Sequence, residues 1–200
     1  SMARCQLNAL IPAGIGHLAS LEYLNLQENK IYGPIPVGIG NLTNLTFLLL
    51  NDNALSGSIP DTISMLTNLN GLYLSVNALT GSIPNSISSL ADLRYLSLDG
   101  NNLNGTIPST LGGLSSLQSL YLERNHLNGT IPYSLGNLLS LEVLDLSNNT
   151  LTGSIPDSIY SLPNLRYLYE APCVLFTPQY QATRLGLVLS MRRVVSAEIT

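Results

Sequence analysis

The sequence has few charged residues, and this shortage excludes several classes of protein. Charged residues make up 10% of the 200 residues, and lysine occurs once, at Lys30. With 45% hydrophobic residues, the chain differs from disordered proteins, and its single lysine argues against a charged coiled coil. The formal net charge of −4 lacks the basic surface that nucleic acids need, so no nucleic-acid partner is expected.

Long apolar runs and clustered cysteines are also missing. No run approaches the ~20 apolar residues that cross a bilayer, so membrane insertion is not expected. Residues 1–20 lack the basic start and apolar segment of a signal peptide. Cys5 and Cys173 stand at opposite ends, whereas a disulfide-stabilised secreted domain would have four or more cysteines at close spacing. Cysteine usage therefore leaves the cellular compartment open.

What the sequence does have is an internal repeat of constant length. Leucine, glycine and an Ile-Pro pair recur at one fixed interval without insertions. Six full repeats run from 18 to 161, with half repeats at both ends. One position of every full repeat is an asparagine, and the residue number rises by 24 from each to the next: Asn29, Asn53, Asn77, Asn101, Asn125 and Asn149. A fixed period of this length predicts a solenoid of stacked coils.

Each repeat reads L-x-x-L-x-x-L-x-L-x-x-N-x-L-x-G-x-I-P-x-x-I/L, and its chemistry predicts one coil. The alternating L-x-L segment indicates a short strand with two leucines inward. A buried asparagine can bond backbone groups of its own coil and of a neighbour, so the six asparagines predict a structural ladder. Glycine permits a tight turn, and the segment after proline favours a short 3₁₀ or helical turn. Stacking at about 4.8 Å would bury the leucines that one repeat cannot bury alone.

This pattern resembles the plant-type leucine-rich repeat of receptor-like kinase and receptor-like protein ectodomains and of polygalacturonase-inhibiting proteins. The closest matches are residues 77–84 (NALTGSIP) and 149–156 (NTLTGSIP). The resemblance implies an α/β solenoid with a parallel sheet on the concave face, an extra short strand near Gly-x-Ile-Pro, and short 3₁₀ or helical turns on the convex side. It also implies an extracellular or cell-surface location and a protein, peptide or carbohydrate partner.

The period also divides the chain and places both cysteines. Residues 1–176 are predicted to form the solenoid, and 177–200 an irregular C-terminal tail or a makeshift cap for the last coil. Cys5 lies one full period before Asn29, and Cys173 lies one full period after Asn149. Both are therefore predicted to be small buried substitutes for the asparagine.

Two columns of residues beside the inward leucines are predicted to face the concave surface, and they hold seven of the twelve aromatic residues. Tyrosine and arginine are enriched in protein interfaces. The predicted partner-binding residues are Tyr23, Phe47, Tyr73, Tyr95, Tyr121, Tyr167, Arg94 and Arg124. The competing interpretation is that tyrosine suits a sheet surface and packs sideways on its neighbours.

These residues favour a non-catalytic binding module, with two alternative functions and one further partner, a second copy of the chain, left open. The chain could be a truncated receptor-like fragment without autonomous function. Rows of hydroxyl and amide residues flank the repeated glycine and could bind ice or another regular surface: Ser56, Thr80, Asn104, Asn128, Thr152, and Ser58, Ser82, Thr106, Thr130, Ser154. Strand edges at the solenoid ends could support self-association.

No pattern of catalytic or metal-binding residues is found. His17 and His126 lie more than four repeats apart, so they cannot share a site. Two distant cysteines do not make a zinc site, and no phosphate-binding glycine motif occurs. The carboxylates Asp52, Asp99, Glu123 and Asp145 fall in separate repeats, so we expect them not to cluster. The sequence therefore predicts no enzyme, no cofactor and no metal.

Overall fold

A computed structural model describes residues 2–169, which form two parallel sheets joined by short turns. In this region the first sheet, called the concave sheet below, has seven strands in chain order: Tyr23–Asn25, Phe47–Leu49, Gly71–Tyr73, Tyr95–Ser97, Ser119–Tyr121, Val143–Asp145 and Tyr167–Tyr169. Each strand pairs with its counterpart in the next repeat, as Leu72 does with Leu96. This register confirms the predicted parallel stack.

A second sheet, called the lateral sheet below, follows the ladder asparagines. Its six strands within residues 2–169 are Tyr32–Pro34, Ala54–Gly57, Ala78–Gly81, Asn102–Thr106, His126–Thr130 and Thr150–Thr152. They are the extra strands that the resemblance implied.

Short turns complete each coil on the convex side. Of those within residues 2–169, six are 3₁₀ turns, at Ala13–His17, Val37–Asn41, Asp61–Met65, Asn85–Ser89, Ser109–Gly113 and Tyr133–Asn137, and one is α-helical, at Asp157–Tyr160. The proline of each Ile-Pro pair stands directly before the turn in an extended conformation, as Pro36 does with φ −69° and ψ 142°. Proline suits this position because its fixed φ matches and no N–H is needed there. The predicted α/β solenoid is confirmed.

The core is a continuous column of leucine and isoleucine between the two sheets and the turns. In the repeat 42–65, the fully buried side chains are those of Leu42, Leu45, Leu48, Leu50, Leu55 and Ile63. The same positions are buried in the four full repeats that follow, whereas Leu165 and Leu168 of the last described coil are partly buried. Each coil thus covers the apolar face of its neighbour.

The ladder asparagines bond two coils at once. Asn77 Nδ2 donates to the carbonyl oxygens of Leu74 and Ser75 in its own coil, both at 3.1 Å, and of Leu50 in the previous coil at 3.0 Å. Its Oδ1 accepts from the N–H of Leu55 at 2.9 Å. The other five asparagines repeat this arrangement. Backbone groups that a turn would leave unpaired are therefore satisfied.

The residue before each ladder asparagine has a left-handed backbone, which the repeat pattern does not reveal. The φ values are positive at Glu28, Asp52, Val76, Gly100, Arg124 and Asn148. Glycine occupies this position once, and the other five residues adopt a conformation that costs L-amino acids energy.

In the first coil, the structure shows that the prediction of a buried Cys5 is wrong. This residue is exposed, not buried. Its N–H donates to Asn29 Oδ1 at 3.1 Å, but no other described coil covers its side chain, so position in the period does not ensure burial. Cys173, the end of the predicted 1–176 solenoid and the 177–200 tail lie outside the described residues. No helix within residues 2–169 has the length and apolar character needed to cross a membrane.

Candidate binding surface on the concave sheet

The outward side chains of the concave sheet form a surface rich in aromatic rings. In each strand the central leucine points inward, and the residues on both sides of it point outward. All six predicted aromatic residues lie in these strands: Tyr23, Phe47, Tyr73, Tyr95, Tyr121 and Tyr167. Tyr23 and Tyr167 have exposed fractions of 47% and 45%, and the four between them are partly buried.

Four of the rings form two pairs. Tyr23 and Phe47 have ring centroids 6.0 Å apart in a tilted arrangement, and Tyr73 and Tyr95 are stacked at 6.4 Å with 20° between their planes. The sideways packing of the competing interpretation therefore occurs. The partly exposed rings still present apolar surface with fixed geometry, which an interface can use.

Gly71 lets the two pairs approach each other. A Cβ atom at this position would lie 2.7 Å from ring atoms of both Phe47 and Tyr73. The rings occupy the space that a side chain would fill, and glycine in this one strand therefore extends the aromatic surface over four coils.

The two predicted arginines lie at opposite ends of the concave strands. Arg94 directly precedes the strand Tyr95–Ser97 and is exposed. Arg124 follows the strand Ser119–Tyr121 and places Nη2 3.3 Å from Asp99 Oδ2 and 3.9 Å from Glu123 Oε1. The structure does not bring the two guanidinium groups together.

Three carboxylates cluster at the end of the strands where Arg124 lies, and the prediction that they would not cluster is wrong. Asp99, Glu123 and Asp145 come from successive coils; the charges of Asp99 and Asp145 act on Glu123, and the charge of Asp99 acts on Asp145. Because the coils stack in parallel register, residues about 24 positions apart in the sequence lie side by side. For example, the Gly100 N–H donates to the Glu123 carbonyl oxygen at 2.9 Å. Separation in sequence is therefore no measure of distance along this sheet.

Serine hydroxyls hold two of these carboxylates. Ser97 Oγ donates to Asp99 Oδ1 at 2.7 Å. Asp145 Oδ1 accepts from the N–H of Ser147 at 2.9 Å and from its Oγ at 2.7 Å. Glu123 differs, because its Oε2 is buried and accepts no hydrogen bond from residues 2–169. A buried acceptor without a donor is uncommon in folded proteins.

Burial and neighbouring charge disfavour ionisation in this cluster. Burial raises the pKa of the Glu123 carboxyl from 4.5 to about 7, and the charges of Asp145 and Asp99 add to the shift. Burial also raises the pKa of Asp145. The hydroxyls of Tyr73 and Tyr121 have raised pKa values for the same principal reason. Near neutral pH, Glu123 is consequently a mixture of protonated and charged forms.

Other predicted polar residues lie away from this surface. His17 is in the first convex turn and His126 in the lateral sheet, and both are exposed. The exposed rows of the lateral sheet include Thr80, Asn104 and Asn128. Among residues 2–169, no group of three or more His, Cys, Asp and Glu side chains has an arrangement that could hold a metal ion.

Comparisons with known proteins find the same repeat architecture. The leucine rich repeat family models match residues 20–42, 43–103 and 115–169. Comparison with curated proteins gives no match. Three solved structures are similar over most of the chain: the plant peptide hormone receptor RGFR1 in complex with RGF2 (38% identity, TM-score 0.82), PEPR1 with AtPEP1 (40%, 0.81), and the Arabidopsis receptor kinase HAESA with the peptide hormone IDA and co-receptor SERK1 (33%, 0.79).

The similar region is most of this chain but only a minor part of each receptor chain. It covers 84% of this chain in each case, but 27%, 24% and 28% of the respective receptor chains, so the chain spans about a quarter of their length. The matched repeats, the parallel register and the asparagine ladder together lead to one assignment: the chain belongs to the leucine-rich repeat family, with repeats of the plant type.

Proposed function

We propose that this protein is a non-catalytic binding module whose concave sheet takes a peptide or protein partner. The observation that carries the proposal is the aromatic surface of Tyr23, Phe47, Tyr73, Tyr95 and Tyr121. Ring packing orders the first four, and all five are exposed or partly exposed. Fixed, partly exposed tyrosine rings offer a large contact area at a small cost in conformational entropy.

The similar receptors support a peptide partner over other ligands. RGFR1 is a plant peptide hormone receptor and was solved with RGF2, and HAESA was solved with the peptide hormone IDA; both are similar to this chain in fold. An extended peptide that runs across the strands suits this sheet surface, because side chains along the peptide can contact different coils. The two exposed histidines lie outside the aromatic surface, and this placement favours binding over acid–base catalysis there.

Panning a random dodecapeptide phage library against the immobilised 200-residue chain tests the proposal. We expect selected peptides to lose binding to the variant Tyr73→Ala/Tyr95→Ala/Tyr121→Ala, because it removes the central rings. The matched control is Tyr32→Ala/Tyr133→Ala, whose exposed rings (48% and 70%) lie in the lateral sheet and a convex turn. Circular dichroism checks that both variants fold. Peptides that bind the triple variant as well as the wild type would contradict the proposal.

A further inference from the structure

We propose that the central concave sheet receives a basic side chain, arginine or lysine, of an extended peptide partner, with its cationic group at Asp99, Glu123 and Asp145. This inference rests on the proposed function, because it names the chemistry of the partner that the same surface takes. Four observations lead to it: the local charge, an unpaired oxygen, the adjacent rings and the order of these groups along the sheet.

The charge of this region is complementary to a cation. Three carboxylates from three successive coils face one guanidinium group, that of Arg124. The Arg124 side chain has an exposed fraction of 59% and places Nη2 3.3 Å from Asp99 Oδ2 and 3.9 Å from Glu123 Oε1, so one exposed cation serves three carboxylates. Asp145 lies one coil further on and accepts its hydrogen bonds from Ser147, which is uncharged. A second cation would balance charge that the described protein leaves uncompensated.

The Glu123 carboxylate has an oxygen available for a donor. The Oε2 atom is buried and accepts no hydrogen bond within residues 2–169, and 16% of the Glu123 side chain is exposed. Leaving a buried acceptor unpaired costs free energy that a partner's N–H group recovers on binding. Guanidinium and ammonium groups bring several donors, whereas an apolar side chain would bury the oxygen further without pairing it.

The neighbouring rings suit the rest of a basic side chain. Tyr121 lies between Ser97 and Asp145 in the strand register, on the same face as Glu123 two residues later. Tyr73 is opposite Ser97 on the other side and stacks on Tyr95. The alkyl stem of arginine or lysine packs well on such rings, and a cation beside a tyrosine face is attracted to it.

Proton release upon binding distinguishes a basic side chain from a neutral one. A cation beside Glu123 favours its charged form, so binding should expel the proton that Glu123 partly holds near pH 7 and should strengthen as the pH rises through 7. A neutral partner would desolvate the carboxyl further, and the protein would then take up a proton and bind more tightly at acidic pH.

The experiment uses the dodecapeptides selected on the wild-type chain. We expect an arginine or lysine in most peptides that need the three tyrosines, and its replacement by glutamine should weaken the Kd by about tenfold or more. The variant Asp99→Asn/Glu123→Gln/Asp145→Asn should show a similar loss. Its control, Asp61→Asn/Asp92→Asn/Asp157→Asn, makes the same change in charge at residues outside the concave sheet and should retain binding. Calorimetry at pH 7 in buffers of different ionisation heat measures the proton change.

The outcomes separate this inference from the proposed function. Peptides that need the tyrosines but no basic residue, or that tolerate the loss of the three carboxylates, would overturn the inference and leave the proposed function standing. Proton uptake on binding would also overturn it. If no selected peptide depends on the tyrosines, both the proposed function and the inference fail.

Discussion

Asn101 and Leu79 belong to different coils, yet Asn101 Oδ1 accepts the N–H of Leu79 at 3.0 Å in the buried interior of the solenoid. The same asparagine donates to Leu74, Leu98 and Asp99 carbonyl oxygens at 3.0–3.2 Å. One side chain thus forms hydrogen bonds with two coils, and the other ladder asparagines do the same. The stability of each coil therefore depends on its neighbours.

Replacing this asparagine should destabilise the protein strongly. We expect Asn101→Ala to lower the free energy of unfolding by about 2–3 kcal/mol, because four backbone groups lose their partner where water has little access. The adjacent Asn102→Ala removes an exposed amide and should cost less than about 0.5 kcal/mol. Urea denaturation followed by circular dichroism measures both. Equal losses in the two variants would contradict the role of the ladder.

Two adjacent glycines in one convex turn should respond differently to a methyl group. A Cβ at Gly112 would overlap the backbone carbonyl of Ser134 in the next coil, whereas a Cβ at Gly113 would meet nothing within 4 Å. We expect Gly112→Ala to cost about 1–3 kcal/mol through overpacking, and Gly113→Ala to be neutral or slightly stabilising. Thermal unfolding of the pair measures the difference, and a tolerant Gly112 would show that neighbouring turns separate easily.

The left-handed residue before the ladder asparagine offers a stabilising substitution. Val76 has φ 50°, which is unfavourable for a β-branched residue, and 46% of it is exposed, so its loss removes little buried surface. Asparagine occupies the same slot at Asn148 with φ 51°. We expect Val76→Asn to stabilise the protein by about 0.5–1 kcal/mol and Asn148→Val to destabilise it by a similar amount. Chemical denaturation of both variants measures whether their stabilities change in opposite directions. Changes of the same sign would contradict backbone strain as the cause.

Glu123 should make the protein less stable as the pH rises through neutrality. The pKa of its carboxyl is 4.5 in the unfolded chain and about 7 in the folded protein. The stability that the protonated Glu123 carboxyl contributes is complete below pH 4.5. It is lost as the pH rises through 7, because the unfolded chain releases the proton at a lower pH than the folded protein does. Glu123→Gln cannot ionise, so its advantage over the wild type should grow between about pH 5 and 8 to roughly 1–2 kcal/mol, after allowance for solvent screening. Urea titrations at several pH values measure this, and a constant difference would contradict the buried-carboxyl explanation.

The repeat architecture could be predicted closely because each of its determinants is local. The spacing of leucine, asparagine, glycine and Ile-Pro predicted strands, turns and parallel stacking, and the structure confirms these elements. Cys5 keeps the period but is exposed, because burial also requires a coil that covers the side chain. The alternation along each strand predicts that the aromatic residues lie on the concave sheet, as they do, and their part in binding stays a prediction.

By itself, the sequence determined the coil, its period and the residues that point inward, because these follow from the alternation of apolar side chains and from the backbone limits of glycine and proline. Only the tertiary structure decided which outward groups meet. Stacking placed Asp99, Glu123 and Asp145 from three repeats in one cluster, left Glu123 Oε2 without a donor among the described residues, and set Phe47 and Tyr73 over Gly71. These relationships depend on distances across coils, which the order of residues along the chain does not express.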